Sequence, residues 1–196
     1  TKVVIAKLDV VEFKRVQEVL SRMAEELGGV EIVIANAGVA ERSHPGEGTF
    51  YLDRNVIEIN LLGAIATIDA GTDILKKEGG GQIVGISSVA GFRGLSSTPA
   101  YSASKAALST YMEGIRNKLK EHKIVVTVLN PGFIDTPINT HRKSRPFVIS
   151  AEKGARLMAD MIEKKIWSSA VPVWPWSFIT KIMRLVPERL WSKINV

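Results

Sequence analysis

Tyr101 and Lys105 are the residues whose types and spacing most directly suggest chemistry. A four-residue step places both side chains on one face of a helix. A free tyrosine has a pKa of about 10, too high for an efficient base near neutral pH, and a nearby ammonium lowers it by favouring the phenolate. The pair could therefore exchange a proton with a substrate oxygen. Taken alone the spacing is weak evidence, because a solvated helix face can carry the same two residues.

Small and polar residues follow three apolar, β-branched runs of the chain. They form the segments Asn36-Ala37-Gly38, Ser87-Ser88 and Asn130-Pro131-Gly132. A serine hydroxyl near Tyr101 could hold the reacting oxygen by a hydrogen bond. In parallel sheets ligands bind at the carboxyl ends of strands, so we expect chemistry in these three loops.

The elements that must position these residues alternate along the chain. We predict strands over residues 3–8, 31–35, 82–87, 124–129 and 169–174, and helices over residues 13–27, 52–77, 99–121 and 151–165. Gly28-Gly29 and Gly79-Gly80-Gly81 follow helices and are expected to end them. Nearly all-apolar strands separated by helices indicate a doubly wound α/β fold, a parallel sheet with helices on both faces.

Composition excludes several classes of protein. The 196 residues are enough for one domain, and the absence of cysteine rules out disulfides and thiolate metal sites. His44, His122 and His141 show no metal-ligand spacing, so we predict no metal site. The last 56 residues carry 11 Lys/Arg against 4 Asp/Glu, whereas the first 140 carry 15 against 16. Such a local basic excess, without a recognised module, predicts no nucleic-acid partner.

The C-terminal residues 175–196 differ from the domain predicted over residues 1–174. Apolar side chains recur there at helical spacing with lysines and arginines among them, and Pro187 should break or kink the helix. Three interpretations stay open: packing on this or a neighbouring subunit, a lid over an apolar substrate pocket, or contact with a membrane surface. No apolar run reaches 18 residues, so we expect no membrane span.

Taken together, the motifs from Leu8 to Pro137 resemble the short-chain dehydrogenase/reductase family. The stretches GQIVGISSVAGFRG, YSASKAAL and NPGFIDTP are similar to three of its signatures, and Ser88 precedes Tyr101 by thirteen residues. The resemblance implies an oxidoreductase with a Rossmann-like fold that uses NAD or NADP. It also implies a homodimer or homotetramer, built partly on the helices around residues 52–77 and 100–121.

The resemblance assigns roles residue by residue. Tyr101 matches the general acid/base, Lys105 its partner and a ligand of the nicotinamide ribose, Ser88 the residue that orients the substrate oxygen, and Asn60 the holder of a water in the proton relay. The implied cofactor contacts are Asp9 near the adenine, Asn36, Ala37 and Gly38 on the adenosine side, and Pro131, Gly132, Ile134 and Thr136 at the nicotinamide amide. Ser87 is expected to be structural.

One part of the family pattern is absent. The family begins with a strand and a glycine-rich turn of the type TGxxxGxG, whose helix binds the pyrophosphate. The segment over residues 3–8 resembles the family's third strand, so we expect two strands and two helices to precede it in a complete member. Without them the sheet should expose an edge, and the chain should bind NAD(P) weakly. The choice between NAD and NADP stays open.

The sequence therefore predicts an NAD(P)-dependent oxidoreductase that interconverts a secondary alcohol and a ketone. The apolar C-terminal region suggests an apolar small-molecule substrate. The alternative is a non-catalytic binding or scaffold protein that keeps the fold but has lost dinucleotide binding. The missing glycine turn favours that alternative, and the intact set of Ser88, Tyr101 and Lys105 argues against it. We expect a cytoplasmic location, with peripheral membrane contact by residues 175–196 as the alternative.

Overall fold

The computed structural model describes residues 2–139 and 144–193. His141 therefore lies outside the described residues. The strands are β1 (Ile32–Ala35), β2 (Gly81–Ile86), β3 (Ile124–Pro131), β4 (Ile134–Asp135), β5 (Ile149–Ser150) and β6 (Ser168–Val171). The α-helices are α1 (Phe13–Leu27), α2 (Phe50–Ile57), α3 (Ala64–Lys77), α4 (Pro99–Lys120), α5 (Ala151–Glu163), α6 (Val173–Leu185) and α7 (Glu188–Trp191). A π-helical turn, Glu58–Gly63, joins α2 to α3, and short 3₁₀ turns cover Val89–Phe92 and Pro137–Asn139.

Four of the strands form one parallel sheet in the spatial order β1-β2-β3-β6, and β4 pairs with β5 separately. Because side chains alternate along a strand, the central strands β2 and β3 face both layers of helices. Ile83 and Val126 pack in one cluster with residues of α3 and α4. Val84 and Leu129 pack in another with residues of α5. The doubly wound fold predicted from the sequence is confirmed.

Local signals account for most element boundaries. Helix α1 ends at Gly28, whose left-handed backbone (φ 82°) lets its N–H bond back to Ala24 and Glu25. Helix α4 begins with Pro99, whose missing N–H costs nothing at a first helical position. Pro187 separates α6 from α7, as its effect on helices predicts. None of the described helices is both long and apolar enough to cross a bilayer.

The strand predicted over residues 3–8 is wrong. A strand needs a neighbour to share its ladder of hydrogen bonds, and in the described part of the chain no strand lies beside this segment. Val3 and Ile5 are consequently 75% and 91% exposed rather than buried. The outer side of β1 has no partner strand among the described residues either, and Ile32 and Ile34 are exposed along it.

Two further boundaries differ from the sequence prediction. The helix expected over residues 52–77 begins at Phe50 and contains the π-helical turn, in which the buried Asn60 accepts a hydrogen bond from the backbone of Val39. The strand expected over residues 169–174 ends at Val171, and helix α6 begins two residues later, at Val173. Helix α6 packs on the domain through Trp176 and Ile179, next to Ala170 of the last strand. The C-terminal extension therefore starts in contact with the sheet.

The 3₁₀ turn after β2 lies directly against α4. A Cβ atom built at Gly91 would lie 2.9 Å from the backbone nitrogen of Ala106 and 2.9 Å from the carbonyl carbon of Lys105. Backbone atoms cannot rotate away as a flexible side chain can. Gly91 therefore sets the distance between this turn and the helix that carries Tyr101 and Lys105.

Replacing Gly91 by alanine should push the turn away from α4 and destabilise the fold. We expect Gly91→Ala to lower the free energy of unfolding by about 1–3 kcal/mol, the usual cost of overpacking. Gly94→Ala is the matched control, because a Cβ atom there meets nothing within 4 Å. It should change stability by less than about 0.5 kcal/mol in urea denaturation followed by circular dichroism. Equal effects of the two substitutions would contradict the steric argument.

Candidate active site

The carboxyl ends of β1, β2 and β3 lie side by side at one edge of the sheet. Ala35 pairs with Gly85, and Ile86 pairs with Leu129, so the loops that follow these strands are neighbours. These are the loops beginning at Asn36, Ser87 and Gly132. The prediction that chemistry-bearing residues gather at one sheet edge matches this register.

Lys105 carries a buried positive charge at this edge of the sheet. Its Nζ atom donates a hydrogen bond of 2.8 Å to the carbonyl oxygen of Ile86, at the end of β2. Only 4% of the residue is exposed, and burial lowers the pKa of Lys105 to about 8. The Nζ atom also lies 5.8 Å from the centre of the Tyr101 ring. Below pH 8 the ammonium thus retains the charge that would favour a tyrosine phenolate beside it.

Gly38 lies next to this ammonium and places no side chain against it. A Cβ atom built there would lie 3.4 Å from Lys105 Nζ and 3.4 Å from Asn60 Oδ1. The three residues, far apart in sequence, therefore converge at one point. A larger residue at position 38 would crowd both polar atoms.

Asn60 lies completely buried in the π-helical turn, and both the oxygen and the nitrogen of its side-chain amide are hydrogen-bonded. Its Oδ1 atom accepts from the backbone N–H of Val39 at 2.8 Å, and its Nδ2 atom donates to Val39 O at 2.9 Å and to Ser104 Oγ at 3.2 Å. Ser104 Oγ in turn donates to the carbonyl oxygen of Tyr101 at 2.8 Å. Asn60 thus ties the loop after β1 to the first turn of α4. A π-helical turn at such a residue is typical of functional sites.

The two serines after β2 make different contacts. Ser88 Oγ accepts from the N–H of Ala90 at 3.1 Å, which caps the 3₁₀ turn, and donates to the carbonyl oxygen of Pro131 at 3.3 Å. Ser87 Oγ donates to the carbonyl oxygen of Lys105 at 2.8 Å and shares a 2.8 Å hydrogen bond with Ser109. Ser88 therefore connects β2 to the loop after β3, while Ser87 holds helix α4 in place.

The loop after β3 is fixed by the last strand and by α6. The N–H of Gly132 donates to the carbonyl oxygen of Val171 at 2.9 Å, Ile134 is buried, and Thr136 Oγ donates to the carbonyl oxygen of Ile134 at 3.3 Å. The indole of Trp176 occupies the space where Gly132 would carry a side chain. Pro131, Gly132, Ile134 and Thr136 thus form one supported loop beside Ser88.

Asp9, Asn36 and Ala37 lie farther out on the surface. The carboxylate of Asp9 accepts from the N–H of Val11 at 3.1 Å and shapes the turn before α1. Val10 in that turn packs on Gly63, where an added Cβ atom would come within 2.6 Å of a Val10 methyl. Asn36 and Ala37 are exposed beyond the end of β1. The described hydrogen bonds do not join these three side chains to Lys105.

Three contributors to the site are absent from the sequence predictions. Ser104 and the backbone of Val39 complete the hydrogen bonds of Asn60, and Trp176 supports Gly132 from the C-terminal helix. Ser104 follows Tyr101 by three residues, a step that makes the two residues neighbours on a helix surface. This spacing could have identified Ser104 as a contributor to the site from the sequence. The backbone role of Val39 and the contact of Trp176 depend on tertiary packing and leave no local signal.

The chain is similar to known oxidoreductases in sequence and in fold. A family model described as short chain dehydrogenase matches residues 1–146. An uncharacterized oxidoreductase of Mycobacterium tuberculosis is 34% identical over 190 residues, which cover 96% of this chain and 75% of that protein.

Two solved structures show the same fold. The crystal structure of a short chain dehydrogenase from Mycobacterium paratuberculosis bound to NAD has a TM-score of 0.74 at 26% identity, covering 84% of this chain and 70% of that one. A short chain dehydrogenase from Burkholderia cenocepacia in complex with NADP has a TM-score of 0.81 at 23% identity, covering 98% of this chain and 81% of that one.

The buried ammonium makes stability depend on pH in a defined direction. The folded state releases the Lys105 proton near pH 8, whereas the unfolded state keeps it to about pH 10.5. Between these values the unfolded state binds more protons, so stability rises with pH. The unfolding free energy of the wild type relative to Lys105→Met should rise by about 3 kcal/mol over that interval. Lys118→Met, an exposed site on the same helix, should keep the wild-type profile, and a pH-independent difference for Lys105→Met would contradict the argument.

Proposed function

Since the chain belongs to the short-chain dehydrogenase/reductase family of oxidoreductases, we propose that it interconverts a secondary alcohol and a ketone with NAD or NADP. The observation that carries this proposal is the pair on α4. Tyr101 and Lys105 share one helical face, and the buried ammonium is held beside the ring by the carbonyl oxygen of Ile86. That arrangement suits proton exchange with a substrate oxygen.

The residues around the pair fit the nicotinamide half of such a cofactor. Gly38 places no side chain beside Lys105 Nζ. Residues 131–136 form a loop next to Ser88, and a hydrogen bond from Gly132 to Val171 holds that loop in place. The NAD in the M. paratuberculosis structure supports this class of cofactor. In this proposal Lys105 holds the ribose and the loop residues Pro131, Gly132, Ile134 and Thr136 hold the amide. Asn36, Ala37, Gly38 and Asp9 would contact the adenosine end.

Bound NAD(P)H supplies the hydride for the substrate carbon, and NAD(P)⁺ accepts it in the reverse direction. The hydroxyl of Tyr101 gives its proton to the ketone oxygen, or receives it from the alcohol. The ammonium of Lys105 stabilises the phenolate that is left. The hydroxyl of Ser88 donates to the same substrate oxygen in place of Pro131 and so fixes its position. Asn60 orders the proton path behind Lys105 by holding the loop at Val39.

Aromatic side chains beside this loop support an apolar substrate. The ring centres of Phe133 and Phe147 lie 5.9 Å and 6.2 Å from that of Trp176, both in edge-to-face contact. Edge-to-face pairs form rigid apolar walls. We therefore propose that the substrate carries its secondary alcohol or ketone on an apolar framework.

Removing the hydroxyl of Tyr101 should abolish turnover without unfolding the protein. Loss of a general acid/base is expected to lower kcat by about 10² to 10⁴ in Tyr101→Phe. Turnover is measured with NADH and NADPH at millimolar concentration and with a panel of apolar ketones and secondary alcohols. Tyr111→Phe is the matched control, since Tyr111 lies on the same helix and packs against the core.

Two results would overturn this assignment. Activity of Tyr101→Phe within threefold of the wild type, with unchanged circular dichroism, would remove Tyr101 from the chemistry. No turnover by the wild type with any substrate of the panel would favour the non-catalytic scaffold. A loss specific to Tyr101→Phe, with Tyr111→Phe active, supports the oxidoreductase.

The oligomeric state is a separate expectation. We propose a homodimer or homotetramer that uses the outer faces of α3 and α4 and the turn between α2 and α3. Of the small residues that motivate it, Ala64 and Ala70 are buried, whereas Ala66, Ala106 and Ala107 are half-buried. Leu62, in the turn between α2 and α3, is exposed. Light scattering at micromolar concentration should give at least twice the monomer mass, and Leu62→Arg should lower it. A monomeric wild type would contradict this proposal.

A further inference from the structure

Helix α6 has two apolar faces, and the domain covers only one of them. Trp176 and Thr180 are buried on the inner face, where Ile179 also packs against the domain. The outer face carries what we call the α6 stripe, four large side chains that stay exposed. They are Trp174, Phe178, Ile182 and Leu185, with 75%, 56%, 44% and 81% of their surface accessible.

The α6 stripe is continuous along the helix. Phe178, Ile182 and Leu185 follow at steps of four and three residues, which places them on one helical face. Trp174 lies just before the regular part of the helix, and its ring centre is 6.2 Å from that of Phe178. Scattered exposed apolar residues are ordinary, but a contiguous patch of this kind indicates an interaction surface.

Basic residues outnumber acidic ones in the segment that carries the α6 stripe. Between residues 173 and 193 the chain has four cations, Lys181, Arg184, Arg189 and Lys193, against the single carboxylate of Glu188, and all five are exposed. Arg184 lies over the ring of Phe92, 4.5 Å from its centre. Helix α7 is held to the domain by a 2.8 Å hydrogen bond from Trp191 Nε1 to the carbonyl oxygen of Gly94. Arg184 thus has a defined position, and α7, which carries Arg189, is attached to the domain.

From this combination we propose that the α6 stripe binds the surface of an anionic lipid bilayer. The four apolar side chains would enter the boundary between headgroups and acyl chains, with Trp174 at the level where indole rings concentrate. The lysines and arginines of the same segment would pair with anionic headgroups. Of the three interpretations of residues 175–196, contact with a membrane surface accounts for the exposed apolar side chains of the outer face. Packing on the domain accounts for the buried side chains of the inner face.

Charge and size favour a bilayer over a second copy of the chain. Two copies joined through this face would bring their basic residues together, and like charges repel. A stable protein interface also uses about 20–30 residues on each side, far more than four side chains on one helix. An anionic surface meets both the apolar and the basic side chains.

Binding at this helix would bring the bilayer close to the candidate active site. Trp176, on the inner face of the same helix, lies against Gly132 in the loop beside Ser88. This inference does not depend on the proposed oxidoreductase activity, because lipid binding is measured without cofactor or substrate.

Vesicle sedimentation tests the inference directly. The wild-type chain should pellet with vesicles of phosphatidylcholine containing phosphatidylserine, and much less with phosphatidylcholine alone or in concentrated salt. The double variant Phe178→Ser/Ile182→Ser should lose about tenfold or more in partition coefficient. Its matched control, Val3→Ser/Ile5→Ser, also removes two exposed apolar side chains and should bind as the wild type does.

Charge reversal tests whether the basic residues contribute to binding of anionic lipid. Lys181→Glu/Arg189→Glu should abolish the preference for phosphatidylserine, whereas Lys118→Glu/Lys120→Glu on the exposed side of α4 should leave it unchanged. Circular dichroism checks that each variant is folded. Failure of the wild type to pellet with anionic vesicles would overturn the proposal, as would equal losses in the stripe variant and its control. A drop from dimer to monomer mass in Phe178→Ser/Ile182→Ser, without vesicle binding by the wild type, would assign the stripe to a second copy instead.

Discussion

The structure depends above all on the burial of one charge. An ammonium that is withdrawn from water is costly unless it is hydrogen-bonded, and Lys105 meets that requirement at the carbonyl oxygen of Ile86. This bond joins the long helix α4 to the carboxyl end of the central strand β2. Ser87 fastens the same helix by its hydrogen bond to the carbonyl oxygen of Lys105, and Gly91 lets the 3₁₀ turn touch the helix backbone. The position of Tyr101, one helical turn away, follows from these contacts.

Asn60 plays the complementary role on the other side of the ammonium. A completely buried amide must satisfy both its oxygen and its nitrogen, and Asn60 does so with the backbone of Val39 and with Ser104. The loop after β1 and the start of α4 are thereby fixed relative to each other. Gly38 lies between these anchors. Such preorganisation is what proton transfer in an active site requires.

The C-terminal helix connects this site to the protein surface. Its inner face fills the space above Gly132 with Trp176, while its outer face presents apolar and basic side chains to the surroundings. Because both faces belong to one short helix, whatever occupies the outer face lies a helix diameter from the loop that follows β3.

Local spacing in the sequence was sufficient for much of this protein. The apolar periods predicted α1, α4 and α5, and the four-residue step placed Tyr101 and Lys105 on one face, because these features depend only on neighbours along the chain. The alternation of apolar runs with helical patterns was enough to indicate a parallel sheet. Residues 3–8 were mistaken for a strand, since strand formation depends on a partner that the segment itself does not encode. Only the tertiary structure decided that Lys105 reaches Ile86, that Asn60 bridges Val39 and Ser104, and that Trp176 rests on Gly132. Each of these contacts joins residues at least 19 positions apart, and which groups meet at such a distance is set by how the sheet and helices pack.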